Sequence, residues 1–297
     1  MAQASLLDPQ LQRVKLVASA SEAFDPGNSA HEVELQRLFR AAWPEASWEG
    51  STSDRWIELG FQQRNALSDL RGAGLGGVRN LTYFLTHRAA EADQVRRAGP
   101  NHCLAIAGLN VTLLLRHYLA LHPPGARLQP VVPGGGEKLA SAAVQRAFWA
   151  WSSVEEQCIE ELHAVFLAAM LDRWCGAIAQ GWTLLDFPEL LLHARQHIEA
   201  TLPALCSQAD GRWSNERLRA MAKLQERTLI RQLGLPGGRP AGRKPLQSVL
   251  RSWTAQLLAL GRCFTSLLAM VCGSATPVVA RSTQPPATSC TSTPLSA

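Results

Sequence analysis

Charge is scarce in this sequence. Asp, Glu, Lys and Arg make up 18% of its 297 residues, and the net charge is only +5. Basic and acidic residues alternate along most of the chain, the pattern of solvated helix faces. A nucleic-acid partner calls for a basic patch or stripe, so none is expected. The seven cysteines are odd in number, widely spaced and without a CxxC pair. That argues against a disulfide framework and a thiolate zinc site, and it points to a reducing compartment. The first residues, MAQASLLDPQLQRVK, lack an apolar h-region. No secretory signal is expected, and the expected location is cytoplasmic.

Catalytic signatures are missing too. There is no GK[ST] phosphate loop and no GxSxG elbow, and no Cys has an obvious His and Asn framework. Gly72, Gly74 and Gly77 spell GxGxxG, but a dinucleotide site needs a buried strand immediately before it. The preceding FQQRNALSDLR is no strand. His193 and His197 stand four residues apart, yet Ala194 occupies the place of the general base in HExxH. The plainer reading is two histidines on a partly exposed helix face. No metal or cofactor of the chain's own is expected.

Apolar residues are plentiful, at 46%, enough to bury a sizeable core. They recur at helical spacing and no strand pattern persists, so the fold class is all-α, one helical domain. Residues 1–28 read as a loose N-terminus. Ser29 and Glu32 have capping-box spacing before Leu35, Leu38, Phe39 and Ala42, and Pro44 stops that run. Leu75, Val78, Leu81, Phe84 and Leu85 mark a second helix. Residues 102–121, apolar almost all round, mark a buried third. Helices are also expected over 137–151, from a Ser153/Glu156 capping box to about Trp174, over 187–202 behind Asp186, and over about 215–233 behind Ser214. The domain is thus bounded at 29–234. LPGGRPAGRKP (235–245) reads as a linker, 246–273 as an apolar or amphipathic helix, and 274–297 as a disordered tail. The 246–273 segment either packs back on the bundle or meets a membrane peripherally. Arg262 in its middle disfavours a span.

SDLRGAG, residues 68–74, places one Arg on the edge of a glycine run. A guanidinium is always charged and offers a planar fork of donors matched to phosphate oxygens. Glycines around it remove side-chain bulk and allow close approach to a partner. That is the equipment of an arginine finger. The structural alternative is an Arg that pairs with Asp69 or a nearby Glu to fix a helix end.

The stretch WIELGFQQRNALSDLRGAGLGGVRNLTYF (56–84) resembles the signature of the ELMO domain family. That signature has a Trp, three residues, Gly-Phe-Gln, three residues, a Pro, one residue, Thr-Asp, one residue and Arg-Gly. A Gly- and Leu-rich helix ending in Tyr-Phe follows. Trp56, Gly60, Phe61, Gln62, Asp69, Arg71, Gly72, Tyr83 and Phe84 match. Ala66 stands for the usual Pro, Ser68 for Thr, and Gln63 where Gly is common. Residues 161–202 look like the family's closing helices, with Trp174 and Asp186-Phe187, and Asn110 falls where its central helix keeps an Asn. The resemblance covers about 30–205.

Stand-alone members with this Arg act as GTPase-activating proteins for Arf-family and Arf-like small GTPases. The engulfment adaptors instead work with DOCK exchange factors on Rac and carry armadillo-like repeats and a PH domain, neither of which is visible here. The resemblance implies that Arg71 acts on a partner GTPase that holds the GTP and Mg²⁺. This chain would do no chemistry on a substrate of its own. It implies that Ser68, Asp69 and Gly72 shape the Arg71 segment and that Gln62 contacts water or a switch region. Trp56 and Phe61 would pack beneath. The rival expectation is a non-catalytic adaptor that binds a small GTPase or a DOCK-type exchange factor.

Overall fold

The helix that is apolar almost all round lies deepest. The computed structural model describes residues 9–99, 102–126, 131, 138–208 and 212–232. These residues hold ten α-helices: α1 Pro9–Ser21, α2 Ser29–Ala42, α3 Asp54–Glu58, α4 Leu67–His87, α5 Ala89–Arg97, α6 Leu104–Tyr118, α7 Ala142–Ser152, α8 Cys158–Ile178, α9 Phe187–Cys206 and α10 Asn215–Gln232. A 3-10 turn, Leu184–Asp186, precedes α9. The described residues contain no strand, only an isolated antiparallel bridge between Thr52 and Asn65. The described residues form a single all-α domain, as their periodicity implies. The linker, the 246–273 helix and the 274–297 tail expected from sequence lie outside the described residues.

α6 is flanked by α4 and α8, and α2 and α1 pack on α4. The close approach turns on Gly108. A Cβ there would overlap a Leu81 methyl of α4 and come within 3.3 Å of a Leu167 methyl of α8. Leu81, Leu104, Val111 and Leu167 are fully buried; each such side chain contributes about 1.5–3 kcal/mol on burial. The Gly108 carbonyl accepts twice, from Thr112 Oγ1 at 3.1 Å and from the ring of buried His163 at 2.9 Å. Burial pushes the His163 pKa down to about 4, so the ring is neutral and its Nε2–H donates.

Several boundaries differ from the sequence expectations. Residues 1–28 read as loose, yet α1 occupies Pro9–Ser21. It is held by contacts that local sequence does not encode: it lies on α4, and the Arg13 guanidinium sits 4.9 Å from the Trp149 ring centroid on α7. The cap of α2 is Asn28 rather than Ser29, with Asn28 Oδ1 accepting from the Ala30 N–H at 3.0 Å. Ser153 ends α7 instead of opening α8. Its hydroxyl donates backward to Ala150 O at 2.7 Å, and α8 begins at Cys158 with no side-chain cap. Asp186 shapes the 3-10 turn, accepting from the Thr183 N–H at 2.9 Å, and makes no side-chain cap on α9. Ser214 is placed as expected, accepting from the Arg217 N–H at 3.3 Å.

α10 packs on α8 and α9 through buried Leu218 and Ala222. It also covers the two histidines expected on a partly exposed face. His193 and His197 are both buried, and His197 Nε2 donates to Ala222 O at 2.8 Å. In the first turn of α8, Glu161 is 1% exposed and accepts from Arg219 Nε at 2.6 Å, Tyr83 OH at 3.1 Å and Arg88 Nη2 at 3.2 Å. That carboxylate fastens α4, α8 and α10 together.

Candidate functional site

The site begins in an aromatic nest. Trp56, on α3, is fully buried, with Phe61, Phe39, Trp43 and Trp48 ring centroids 5.3–6.2 Å away in edge-on contact. Its indole N–H is satisfied by Gly50 O at 3.1 Å. Ser53 caps α3, its Oγ accepting from the Arg55 N–H at 3.1 Å and donating to the Glu49 carboxylate. Trp56 and Phe61 are thus both buried in the core beneath the loop.

Gly60 then turns the chain. Its φ is +96°, and a Cβ there would lie 2.6 Å from Leu104 N, so only glycine fits. The turn aims two carbonyls at α6. Leu59 O accepts from the Ala105 N–H at 3.0 Å and Gly60 O from the Ile106 N–H at 3.2 Å. Two donors in the first turn of the central helix, which have no intrahelical partner, are met this way.

The following residues are pinned to the segment before α3. The Ser53 N–H donates to Arg64 O at 2.9 Å, and the Ala66 N–H to Ser51 O at 3.0 Å. The second bond bears on the departure from the family signature. Ala66 is fully buried with φ −57°, an angle proline shares. A proline here would restrict the unfolded chain, worth about 0.4–1 kcal/mol, but would lose the bond to Ser51, worth about 0.5–1.5 kcal/mol. Alanine thus holds the same geometry by a different term. Gln63, where Gly is common, does not have a positive φ and needs no glycine.

Asn65 Oδ1 accepts from the Leu67 N–H at 3.0 Å, and α4 starts. Ser68 Oγ donates to Asn65 O at 2.8 Å and toward Asp69 Oδ1 at 3.4 Å. Asp69 Oδ2 accepts from the Gln62 N–H at 2.7 Å, tying the first turn of α4 back to the loop. Burial raises the Asp69 pKa, against the Gln62 and Ser68 hydrogen bonds and the Arg71 charge. Gln62 itself is buried. Its structural contribution is its backbone N–H, and its side chain is not displayed outward as a water-positioning group would be.

Arg71 stands exposed at the end of this construction, its Nε donating to Ser68 O at 3.0 Å. Gly72 beside it is also exposed, and a Cβ there would make only ordinary contact with Leu113 at 3.5 Å. The remaining glycines do not clear space around Arg71, contrary to the sequence expectation. Gly74 has φ +63° and breaks α4. A Cβ on it would overlap Glu22 O, and one on Gly77 would approach Leu109 Cδ2 at 2.7 Å. They serve packing one and two turns further on.

The site thus joins Trp56, Gln62, Ser68, Asp69, Arg71 and Gly72 in one surface element, with only the Arg71 and Gly72 end in solvent. Sequence reasoning missed three contributors: Asn65 as the side-chain turn that leads into α4, Gly60 as the turn that closes α6, and Gly74 as a break. The positive-φ glycines carried a signal, since Gly60 and Gly74 sit where a helix pattern is interrupted. Among the described residues no group of three or more His, Cys, Asp or Glu could hold a metal ion, and no helix is long and apolar enough to cross a membrane.

A model of the ELMO/CED-12 family matches residues 14–191. ELMO domain-containing protein B of Dictyostelium discoideum is 35% identical over 95 residues, covering 31% of this chain and 34% of that protein. ELMO domain-containing protein 2 of Homo sapiens is 32% identical over 115 residues, 37% of this chain and 39% of that protein. ELMO domain-containing protein 1 of Bos taurus is 40% identical over 74 residues, 25% and 23% respectively. The matches span about a quarter to two fifths of these relatives' lengths. No solved structure matches the chain.

Proposed function

The chain belongs to the ELMO/CED-12 family, and from that premise we propose that it is a GTPase-activating protein for a small GTPase of the Arf or Arf-like class. Arg71 is the finger. The single observation that carries this reading is an exposed guanidinium on a segment whose backbone is fixed on every side by hydrogen bonds and a buried Trp. Pre-set positive charge is what a phosphoryl-transfer transition state rewards, because little reorganisation accompanies the reaction. The partner holds the GTP and Mg²⁺. Asp69 and Ser68 act through the shape of the first turn of α4, not by touching nucleotide.

The test is GTP hydrolysis by a panel of Arf-family GTPases, with wild type and with Arg71→Lys. Lysine keeps the charge and loses the fork. A large loss with an unchanged melting temperature supports the finger; equal stimulation by both proteins removes it.

The second reading, a non-catalytic adaptor for a small GTPase or a DOCK-type exchange factor, is favoured by the departures at Gln63 and Ala66. It expects GTPase binding that is insensitive to Arg71 and no gain in hydrolysis rate. The Ala66–Ser51 bond weakens that argument, since the stiffness lost with proline is supplied another way.

A further inference from the structure

The break in α4 is filled by the chain itself. At Gly74 the helix has φ +63° and ψ −154°, so the two turns carrying Ser68, Asp69 and Arg71 are offset from the rest of α4. The residue after the break, Leu75, does not donate up its own helix: its N–H goes to Glu22 O at 2.9 Å. The same carbonyl occupies the space a Gly74 side chain would take, and Ala20 O lies 3.4 Å from where a Gly76 Cβ would be.

This peptide is held from three sides. His31 Nδ1 accepts from the Asp25 N–H at 2.9 Å, and His31 Nε2 meets Glu22 Oε1 at 3.0 Å. The His31 ring packs at 5.6 Å on Phe24 and is buried. Arg79, just past the break on α4, donates from Nη1 to Ser19 Oγ at 2.8 Å and lies 3.8 Å from Glu22 Oε2 and 3.7 Å from Glu34 Oε1. Arg116 of α6 reaches Ala20 O at 3.5 Å.

We propose that the Glu22–Ala23 peptide, locked by His31, is a wedge that sets the direction of the Arg71 segment by filling the break at Gly74. Its functional half rests on the proposed finger role of Arg71. The residues of the wedge are positioning residues, and they act only through the backbone of α4. The physical logic is that a helix interrupted by a left-handed residue has no ladder bond to fix the angle between its halves; here an acceptor from outside supplies it. A small misplacement of a reacting group is costly, about 10²-fold for 1 Å.

The experiment uses the full chain and two readouts. Hydrogen exchange of amides 67–73 reports the order of the segment without any GTPase present, and single-turnover GTP hydrolysis reports the finger. Gly74→Ala and His31→Ala are expected to speed exchange over 67–73 by about tenfold or more. They are expected to lower the maximal stimulated rate about 10- to 100-fold, with the concentration for half-maximal stimulation moving less than about threefold. His31→Gln, which can still accept from Asp25 N and donate to Glu22, is expected to restore most of both. If Gly74→Ala does not fold, the His31 pair decides. Faster exchange at 19–25 with 67–73 and the rate unchanged overturns the wedge. Should wild type stimulate no GTPase while 67–73 loosens as expected, the finger reading falls and the wedge stands as a structural device.

Discussion

Two polar constructions in this molecule use charge in opposite ways. Around Arg71 the charged group is in solvent and the polar atoms beneath it are backbone carbonyls, backbone N–H groups and one half-buried carboxylate. Along α10 the charged groups turn in against the domain, Arg219 onto Glu161 of α8 and Glu226 beside His197 of α9. Glu161 is 1% exposed, and His197, Glu226 and Arg173 crowd together around a narrow gap. Two of the molecule's large pKa shifts lie there: His197 is lowered to about 4 and Glu226 raised to about 7, each mainly by burial. Strong perturbation usually invites a functional reading. Here it marks the fasteners of α10, which lies beyond the family match, while the chemically apt group shows none of that burial.

The contrast breaks most visibly at Arg71. Arg71→Lys is expected to cost on the order of 10³-fold in stimulated GTP hydrolysis with no change in thermal midpoint. Loss of stability instead would place Arg71 among the fasteners. Glu161→Ala is the mirror case. It strands Arg88, Arg219 and Tyr83, and about 3 kcal/mol of stability should go in urea unfolding, with stimulation per folded molecule intact.

Glu226 sharpens the comparison through pH. Its folded pKa lies above its unfolded value, so the folded state holds the extra proton and stability falls as pH rises from about 4.5 through 7. Glu226→Gln should gain about 2 kcal/mol over wild type at pH 8 and almost nothing near pH 5, read from denaturant midpoints. His163 and His197 have the opposite sign. Buried neutral, they contribute stability that is present above pH 6.5 and lost as pH falls toward 4. A Glu226→Gln difference independent of pH would remove the buried-carboxyl reading.

Asp69→Ala frees the Gln62 N–H. About 1 kcal/mol of stability should be lost, with about a tenfold drop in stimulation as the first turn of α4 loosens; stability loss without a rate effect would make Asp69 a fastener too. The smallest effect is expected for Ala66→Pro, which exchanges the Ser51 bond for a fixed φ. Stability should move by about 1 kcal/mol or less, and stimulation should hold.

Sequence periodicity reached the helices because their apolar stripes are local: Leu35, Leu38, Phe39 and Ala42 are buried on α2 as their spacing implies. It misplaced caps where two competent residues adjoin, as with Asn28 and Ser29, or where a hydroxyl had a nearer carbonyl, as with Ser153. It missed α1 and the burial of His193 and His197, since both depend on helices distant in the chain. At the site, the motif residues were legible and their division of labour was not. Gln62 works through its N–H, and Gly74 serves the wedge instead of giving Arg71 room. Neither can be read without knowing what packs alongside.

The turn at Gly60 has a consequence for association. Because the carbonyls of Leu59 and Gly60 complete the first turn of α6, residues 61–72 cannot wander unless the central helix frays. A partner therefore meets a surface whose conformational entropy was given up at folding. Ordering the six loop residues 61–66 on contact would cost on the order of 6 kcal/mol at about 1 kcal/mol each. With that cost absent, a modest footprint around the proposed finger would suffice for a correctly oriented encounter.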